Sequence, residues 1–565
     1  MVRKLKKKGN TIITAALPYA NADLHLGHIT SSYLPADILY RYLKLTGGRA
    51  VQVCASDDYG TPILIAAEKE GVKPSDYVAE RNKRFKEDLA SLGIEYDIFD
   101  QTSSAENLKF VQYFFTKLNE NGYVYVADVD QFYCEYDKKF LPDRYVKGTC
   151  PYCGTKDQYS DGCENCGRTF GPTQILEPHC AICGRTPVFK KSTHYFFKLS
   201  AFAAKLERWL RSNKNLQSEP RNYVLNWIKD GLQDWDISRD IDWGVPIPLE
   251  EAKGKVLYGW FDNHLCYITS SLKQVKKSGK AGVRYWNGST IYHFIGKDIV
   301  YHHYLFLPSM RIGEGQYKLP DFIPTRGYLL IQGKKISKSR NWVINVRDFV
   351  QWYPADYLRF YLTRITPYAQ TDLNFDWDEF REKINNELVA NVGNFIYRAL
   401  VFVKNKHGYV VPRRVAPGKE ERSMLTSLKR TTTETASLIE EGHYDRALKS
   451  VLEFSSKCNQ YFQHGAPWEG KRDEPRTIHY SCNFVASLSI LLHPFLPSSS
   501  EEAWRQLGFN RPIAKYGWEA AKALNVKSAQ RIREPKPLFR KVEEAEISRR
   551  KEALPAGGGT EISVA

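Results

Sequence analysis

No stretch of the 565 residues approaches the ~18 consecutive apolar residues that a membrane-spanning helix requires, so insertion into a bilayer is not expected. No segment repeats another, which sets aside a repeat array. Acidic side chains are under-supplied: 64 Asp and Glu stand against 81 Lys and Arg, leaving a formal charge of +17. An excess of that size favours a polyanionic partner, either nucleic acid or an anionic membrane surface. Cysteine is sparse outside one window. Cys54, Cys266, Cys458 and Cys482 are scattered, whereas the other seven of the eleven lie between Cys134 and Cys183. Clustered Cys-x-x-Cys pairs in a chain of this size point to metal thiolates in a reducing compartment rather than to disulfides. What is present is a globular balance, 42% hydrophobic and 26% charged, which excludes wholesale disorder and collagen-like repetition. At roughly 100 to 200 residues per domain the length allows three to five domains.

The basic opening around Arg3, Lys4 and Lys6 to Lys8, followed by Thr11 to Leu17, has the outline of a secretory leader. Thr14 interrupts its apolar run, and Pro18, Tyr19 and Asn21 stop it, so it reads as a basic tip before a first buried strand. A helix-like spacing from His28 to Leu45 follows, then a second buried strand at Ala50 to Ala55 and a helix at Thr61 to Gly71. Strand, helix, strand, helix is the pattern of a parallel nucleotide-binding sheet. From Cys134 to Gly184 the pattern dissolves into Gly, Pro, Cys and Asp, the composition of an inserted metal-stabilised module. Val256 to Trp260 and Ile291 to Ile295 are strand-like again, which predicts a sheet split in sequence by the insertion. From Glu379 to His407 apolar residues recur at spacings of three and four and end at Gly408, predicting a long amphipathic helix. After a linker at Val411 to Gly418, helices are expected to about Leu507. Beyond Arg511 the chain is polar and charged, and Pro555 to Thr560, with three glycines, is expected to be mobile.

Two short motifs carry chemistry. His25-Leu26-Gly27-His28 sits where the first strand's loop enters a helix. There backbone N–H groups and the helix dipole gather phosphate, imidazoles can donate to its oxygens, and glycine lets an adenine or ribose approach. Taken alone, it could equally be surface histidines near a helix cap. Lys334-Lys335-Ile336-Ser337-Lys338-Ser339 suits a polyphosphate, and taken alone could equally be a solvated charge run. Cys150-x2-Cys153 and Cys163-x2-Cys166 form a four-thiolate pattern for tetrahedral structural Zn²⁺.

In this order, about 300 residues apart, the two motifs resemble the paired signatures of class I aminoacyl-tRNA synthetases. Ala16-Leu17-Pro18-Tyr19-Ala20-Asn21, Ser56-Asp57-Asp58-Tyr59-Gly60, Phe140-Leu141-Pro142-Asp143-Arg144, Trp260-Phe261-Asp262 and His293-Phe294-Ile295-Gly296-Lys297-Asp298 narrow the resemblance to the methionyl-tRNA synthetase family, in its archaeal-like two-knuckle form. The resemblance implies an α/β Rossmann-type parallel sheet split by a zinc-knuckle insertion and followed by an all-α anticodon-binding bundle. The expected segments are residues 10–122 and 236–326 for the two catalytic halves, 123–235 for the insertion and 327–378 for a lysine-loop domain. The bundle is expected at 379–510, with a partly disordered extension at 511–565.

The implied reaction joins L-methionine to tRNA(Met), initiator included, through methionyl-adenylate. His25, His28, Lys335 and Lys338 would be catalytic, with Gly27, Gly296 and Asp298 also at the ATP and Mg²⁺ accompanying the nucleotide. Leu17, Tyr19, Asp57, Trp260, Tyr267, Ile299 and His303 would hold methionine, with Asp57 taking the α-ammonium. Asn394 and Arg398, four apart on one helix face, and Trp468 would read the anticodon. A second zinc is implied at Cys134, Cys180 and Cys183. A histidine expected two residues after Cys134 is replaced by Tyr136, so either His179 substitutes or the site holds metal poorly. Asn263-His264 and Leu307 depart from the family pattern, which has small or apolar residues at the first pair and an aromatic at the third. The chain is expected to be monomeric and cytoplasmic. Synthetases for Leu, Ile or Val usually carry a larger editing insertion, a nucleotidyl transferase would have no anticodon bundle, and a catalytically dead paralogue would have lost one of the two motifs.

Overall fold

Ile12, Ile13 and Ala15 are fully buried in the first strand, and Thr14 between them is too. A strand buried on both faces is what a parallel sheet covered by helices demands. The strands β1 (Asn10–Ala15), β2 (Arg49–Ser56), β3 (Ile98–Gln101), β4 (Thr290–Gly296) and β5 (Thr325–Arg326) form one all-parallel sheet in the order β5-β4-β1-β2-β3. The order reverses at β1, and the crevice outside the carboxyl ends of β1 and β4 is where such sheets take ligands. This computed structural model describes residues 9–555 apart from 161–162, 164–165, 167–171, 338–339 and 471–472. The basic tip therefore lies outside the described residues.

The crossover from β1 to β2 is helical from Leu26 to Leu45, with a π-wound stretch at Ile29–Tyr33. Such widened turns concentrate at functional sites. Between β3 and β4 a long antiparallel ribbon, Val124–Cys134 against Val188–Phe197, carries a small three-stranded sheet of Val146–Thr149, Gln158–Tyr159 and Leu176–Cys180. That sheet has its own modest core of Phe132, Leu141, Tyr145, Val146 and Ile175 beside the cysteines.

The segment Val256–Trp260 differs from its expectation. Only Val256–Leu257 is strand, paired antiparallel with Ser238–Arg239 and Val245–Pro246 outside the parallel sheet, and Gly259–Asp262 is already helical. The buried series Phe261, Leu265, Ile268 and Leu272 has helical spacing, and it overrides the local strand preference of the preceding residues.

The expected long helix runs from Trp377 to His407, with a π-wound stretch at Ile384–Gly393, and stops at Gly408 in the left-handed conformation (φ 55°). Three further long helices, Lys419–Glu440, Tyr444–Gly465 and Glu474–Leu492, complete the bundle, the last buried on nearly every side. Arg359, itself fully buried, donates to Asp37 (2.7 Å) and to the carbonyls of Phe495 and Pro494, tying the helix after β1 to the bundle. Residues beyond 511 are not a loose extension. Trp518, Val526, Ile532, Phe539, Val542 and Ile547 are buried along a strap over the bundle, and Tyr357 Oη donates to the Arg540 carbonyl at 2.7 Å. Single apolar anchors among charged neighbours fix this strap, a spacing too irregular to register as a helix or strand. Residues 556–560 of the segment expected to be mobile lie outside the described residues. Among the described residues no helix is long and apolar enough to cross a membrane.

Candidate functional site

The helix start at Leu26 is capped by the two histidines that flank it. His25 Nδ1 accepts from the Gly27 N–H and His28 Nδ1 accepts from the His25 N–H, each at 3.2 Å, and the rings stack with centroids 3.8 Å apart. A neutral imidazole that accepts at Nδ1 carries its proton at Nε2, so the capping bonds present both rings as Nε2 donors. That is the tautomer a phosphate oxygen needs. A Cβ on Gly27 would meet the His25 ring at 3.1 Å and Ile336 at 3.2 Å, so the turn and the lysine segment pack closely at this glycine. Lys334–Lys335 pairs with Leu330–Ile331, and the backbone of Leu26 donates to Ile344 (3.1 Å), which ties the first motif to the segment that follows the second. Ser337 and Trp342 are bridged to each other; Lys338 falls between them and lies outside the described residues.

At the carboxyl ends of β1, β2 and β4 is a cavity of about 440 Å³. Leu17, Tyr19, Asp57, Trp260, Tyr267, Ile299 and His303 all line it, as do His28, Gly296 and Asp298. His25, Gly27 and Lys335 are not in its wall. Gly60, at φ 120°, is required because a Cβ there would lie 2.7 Å from the Tyr19 hydroxyl. A Cβ on Gly296 would lie 2.3 Å from Asp298 Oδ1, so that backbone too is reserved for close approach.

Two imidazoles held neutral, those of His264 and His303, line the cavity. His303 Nδ1 donates to the Ile299 carbonyl (3.0 Å), which leaves Nε2 to accept from the Tyr267 hydroxyl (3.1 Å). Burial pushes His303 down to about 4 and His302, stacked on Trp260 at 3.6 Å, down to about 3. His264 is likewise held neutral by burial and by His303 beside it; its Nδ1 donates to the Trp260 carbonyl at 3.1 Å. The polar departures noted in the sequence thus remain uncharged in a slot that can take an apolar chain. Sequence reasoning did not single out His302; its only signal was a second histidine beside His303.

Asp57 also lines the cavity, buried, with Asn263 Nδ2 donating to its Oδ2 at 3.2 Å. Burial, reinforced by Asp58, pushes Asp57 up to about 8. Asp58 is itself spoken for: Ser103 donates to it through both its hydroxyl (2.6 Å) and its N–H (3.2 Å).

In the insertion, the sulfurs of Cys150, Cys153, Cys163 and Cys166 lie within 4.8 Å of one another. The N–H groups of Tyr152 and Cys166 point at the Cys150 and Cys163 sulfurs (3.4 Å each), an arrangement that stabilises thiolates. A second group brings together Cys134, Cys180, Cys183 and, in place of His179, Asp137. Asp137 Oδ2 is 3.0 Å from the Cys134 sulfur and 3.2 Å from that of Cys180. His179 precedes Cys180 on the strand Leu176–Cys180, so alternation turns it to the other face. Tyr136 is exposed beneath the Arg185 guanidinium (3.8 Å). Both groups have the donors and spacing to hold a thiophilic ion such as zinc.

On the bundle, Asn394 Nδ2 donates to Asn459 Oδ1 (3.2 Å) and Arg398 to Gln463 Oε1 (3.1 Å). Trp468 is 45% exposed and lies under the Arg398 guanidinium, 5.6 Å from centroid to carbon. The structure therefore places Asn394, Arg398 and Trp468 on one face, beside Asn459 and Gln463 of the neighbouring helix.

The family model described as tRNA synthetases class I (M) matches residues 11–400, and that of the anticodon binding domain of methionyl tRNA ligase matches residues 411–556. The chain belongs to the methionyl-tRNA synthetases. The methionine–tRNA ligase of Methanopyrus kandleri is 40% identical to it, over 98% of this chain and 83% of that one. That of Pyrococcus furiosus is 41% identical, over 95% of this chain and 76% of that one. A solved Mycobacterium tuberculosis methionyl-tRNA synthetase bound by methionyl-adenylate superposes with a TM-score of 0.77 at 22% identity, over 94% of this chain and all of that one, and shows the same fold. The match beyond residue 510 agrees with the strap's packing against the bundle in this synthetase.

Proposed function

We propose that the cavity at the ends of β1, β2 and β4 is where this enzyme forms methionyl-adenylate, and that its residues divide the work as follows. The reaction is ATP-dependent ligation of methionine to tRNA, with release of AMP and pyrophosphate. The observation that carries the site assignment is that one cavity is lined both by Asp57 and the methionine-pocket residues and by His28, Gly296 and Asp298. The methionine carboxylate and the α-phosphate of ATP would meet there. An ionised carboxylate is already a nucleophile and needs no general base, so catalysis is positioning and charge stabilisation. Asp57 holds the α-ammonium. The neutral imidazoles of His264 and His303, with Tyr267 and with Trp260 backed by His302, receive the thioether. The Nε2 groups of His25 and His28 donate to phosphate oxygens as charge builds, and Lys335 and Lys338 serve the departing pyrophosphate. Mg²⁺ accompanying ATP would neutralise charge on the same oxygens. The 3′-terminal ribose of tRNA(Met), initiator or elongator, then takes the aminoacyl group. We assign the protein to the cytoplasm, acting as a monomer.

The experiment is pyrophosphate exchange with each of the twenty amino acids. Methionine alone is expected to support rapid exchange, and failure of methionine to do so would overturn the reading.

Zinc is assigned to both cysteine groups, with Asp137 as the fourth ligand of the second. Protein purified without chelators should contain two zinc ions per chain by elemental analysis. Cys150→Ser should remove one, and Asp137→Ala should remove or weaken the other while leaving the first. A metal-free wild type would refute both sites; a single ion unaffected by Asp137→Ala would refute the second.

A further inference from the structure

Asn263 stands where the family usually has a small residue, and it is not idle. It is 4% exposed, and its Nδ2 donates to Asp57 Oδ2 at 3.2 Å. In its ionised form, the one a bound ammonium favours, the Asp57 carboxylate offers acceptors only, which sets the amide with Nδ2 toward Asp57 and Oδ1 turned away. Both side chains line the same cavity, and neither Asn263 Oδ1 nor Asp57 Oδ1 has a hydrogen-bond partner. Buried acceptors left unmade are costly, and these two sit on side chains already joined to each other. A ligand that satisfies both must bring two donors, and an ammonium has three N–H groups.

We propose that Asn263 is a second ligand of the substrate's α-ammonium: its Oδ1 accepts one hydrogen while its Nδ2 holds Asp57, whose Oδ1 accepts another. This rests on the assignment of Asp57 to the α-ammonium made above. An amide suits the position because it orients the carboxylate without cancelling the charge that the ammonium requires, as a lysine or arginine would. Asp58 adds to the burial that raises Asp57, and Asp262 nearby is itself pushed well above the usual carboxylate range by burial and by Asp57, while Tyr19, Tyr59, Tyr267, His264 and Arg144 line the cavity around it. In that setting the donated N–H favours the ionised carboxylate.

The test is pyrophosphate exchange at varied methionine and pH for wild type, Asn263→Ala and Asp57→Asn, with the desamino analogue of methionine as a competitive probe. Asn263→Ala should raise the KM for methionine about 10- to 100-fold, as loss of a hydrogen bond to a charged group does, with kcat within about threefold of wild type. Affinity for the desamino analogue should not change. The pH profile carries a further sign. Asp57 titrates at about 8 in the empty site, so methionine binding strengthens as pH rises toward that value. Removing the Asn263 N–H raises the carboxyl further, so the rise should move to higher pH. Equal losses for methionine and the analogue would mean that Asn263 only shapes the pocket, and would overturn the proposal. A wild-type KM and pH profile in Asn263→Ala, with Asp57→Asn defective, would overturn it and leave Asp57 in place. A wild-type KM in Asp57→Asn would overturn both. Should Asn263→Ala fail to fold, the near-isosteric Asn263→Leu is read against the same outcomes.

Discussion

Replacing His28 by alanine lowers the rate of methionyl-adenylate formation by roughly 100- to 1000-fold, the range for losing one preorganised donor to transition-state charge. The magnitude follows from the geometry. The His28 ring is committed through Nδ1 to the His25 N–H, so its Nε2 proton is held in place before substrate arrives and costs no reorganisation. The deletion also strips the stacking partner, 3.8 Å away, from His25. Two donors are weakened by one change, and the effect should exceed that of removing an isolated histidine. His28→Asn separates the contributions: an amide can accept from the backbone and donate outward, so it should recover part of the loss, as His28→Ala cannot. Zinc content should stay at the wild-type value, and the thermal transition should fall by no more than a lost helix cap costs, about 0.5 to 2 kcal/mol, because the ring lies in the cavity wall and not in the core. Pyrophosphate exchange measured on both variants decides the matter, and near-normal exchange in His28→Ala would remove the histidine pair from the mechanism.

The parts of this molecule that were legible from sequence are those where one residue type at one spacing has one physical use. β1, the helix-capping histidines and the Cys150 to Cys166 knuckle are of that kind. Three features were not legible, each for a different reason. Val256–Trp260 has strand composition, but the helical burial series that begins at Phe261 recruits Gly259 and Trp260 into a helix. The strap after 511 is held by solitary anchors such as Trp518 and Phe539 whose partners are on distant helices. Asp137 joins the second cysteine group because the ribbon's turn after Cys134 carries its carboxylate inward and Tyr136 outward, which needs the turn's geometry and not its composition. The candidate site shows the same division. His25, His28, His303, Asp57 and Trp260 could be named in advance, whereas the bond from Asn263 to Asp57 joins residues 206 positions apart. A departure from a family pattern marks where to look; only the fold says what the departing residue touches.

Trp468→Ala should reduce aminoacylation of tRNA about 5- to 150-fold while leaving pyrophosphate exchange without tRNA nearly unchanged. A base stacked on an indole is worth ~1 to 3 kcal/mol, which sets the range. The ring is half exposed in the short turn Pro467–Glu469, packed along one edge by Phe462 with centroids 6.2 Å apart, so its removal opens no core cavity. Arg398 bonds Gln463 and overlies both Phe462 and Trp468. Without the indole its guanidinium loses one of two aromatic faces, so part of the measured loss passes through Arg398. Arg398→Ala should therefore give a similar split between charging and exchange, and the double variant should lose less than the product of the two single effects. If the guanidinium also meets phosphate, the salt dependence of tRNA binding should weaken in Arg398→Ala and not in Trp468→Ala. The readouts are paired on one preparation, since equal losses in exchange and charging would make Trp468 a structural residue. Full charging in Trp468→Ala would move anticodon reading to another face of the bundle. The expected split arises because His25, His28 and Asp57 sit on the parallel sheet and its crossover, whereas Trp468 stands on the bundle's outer face, and nothing in the adenylate chemistry touches it.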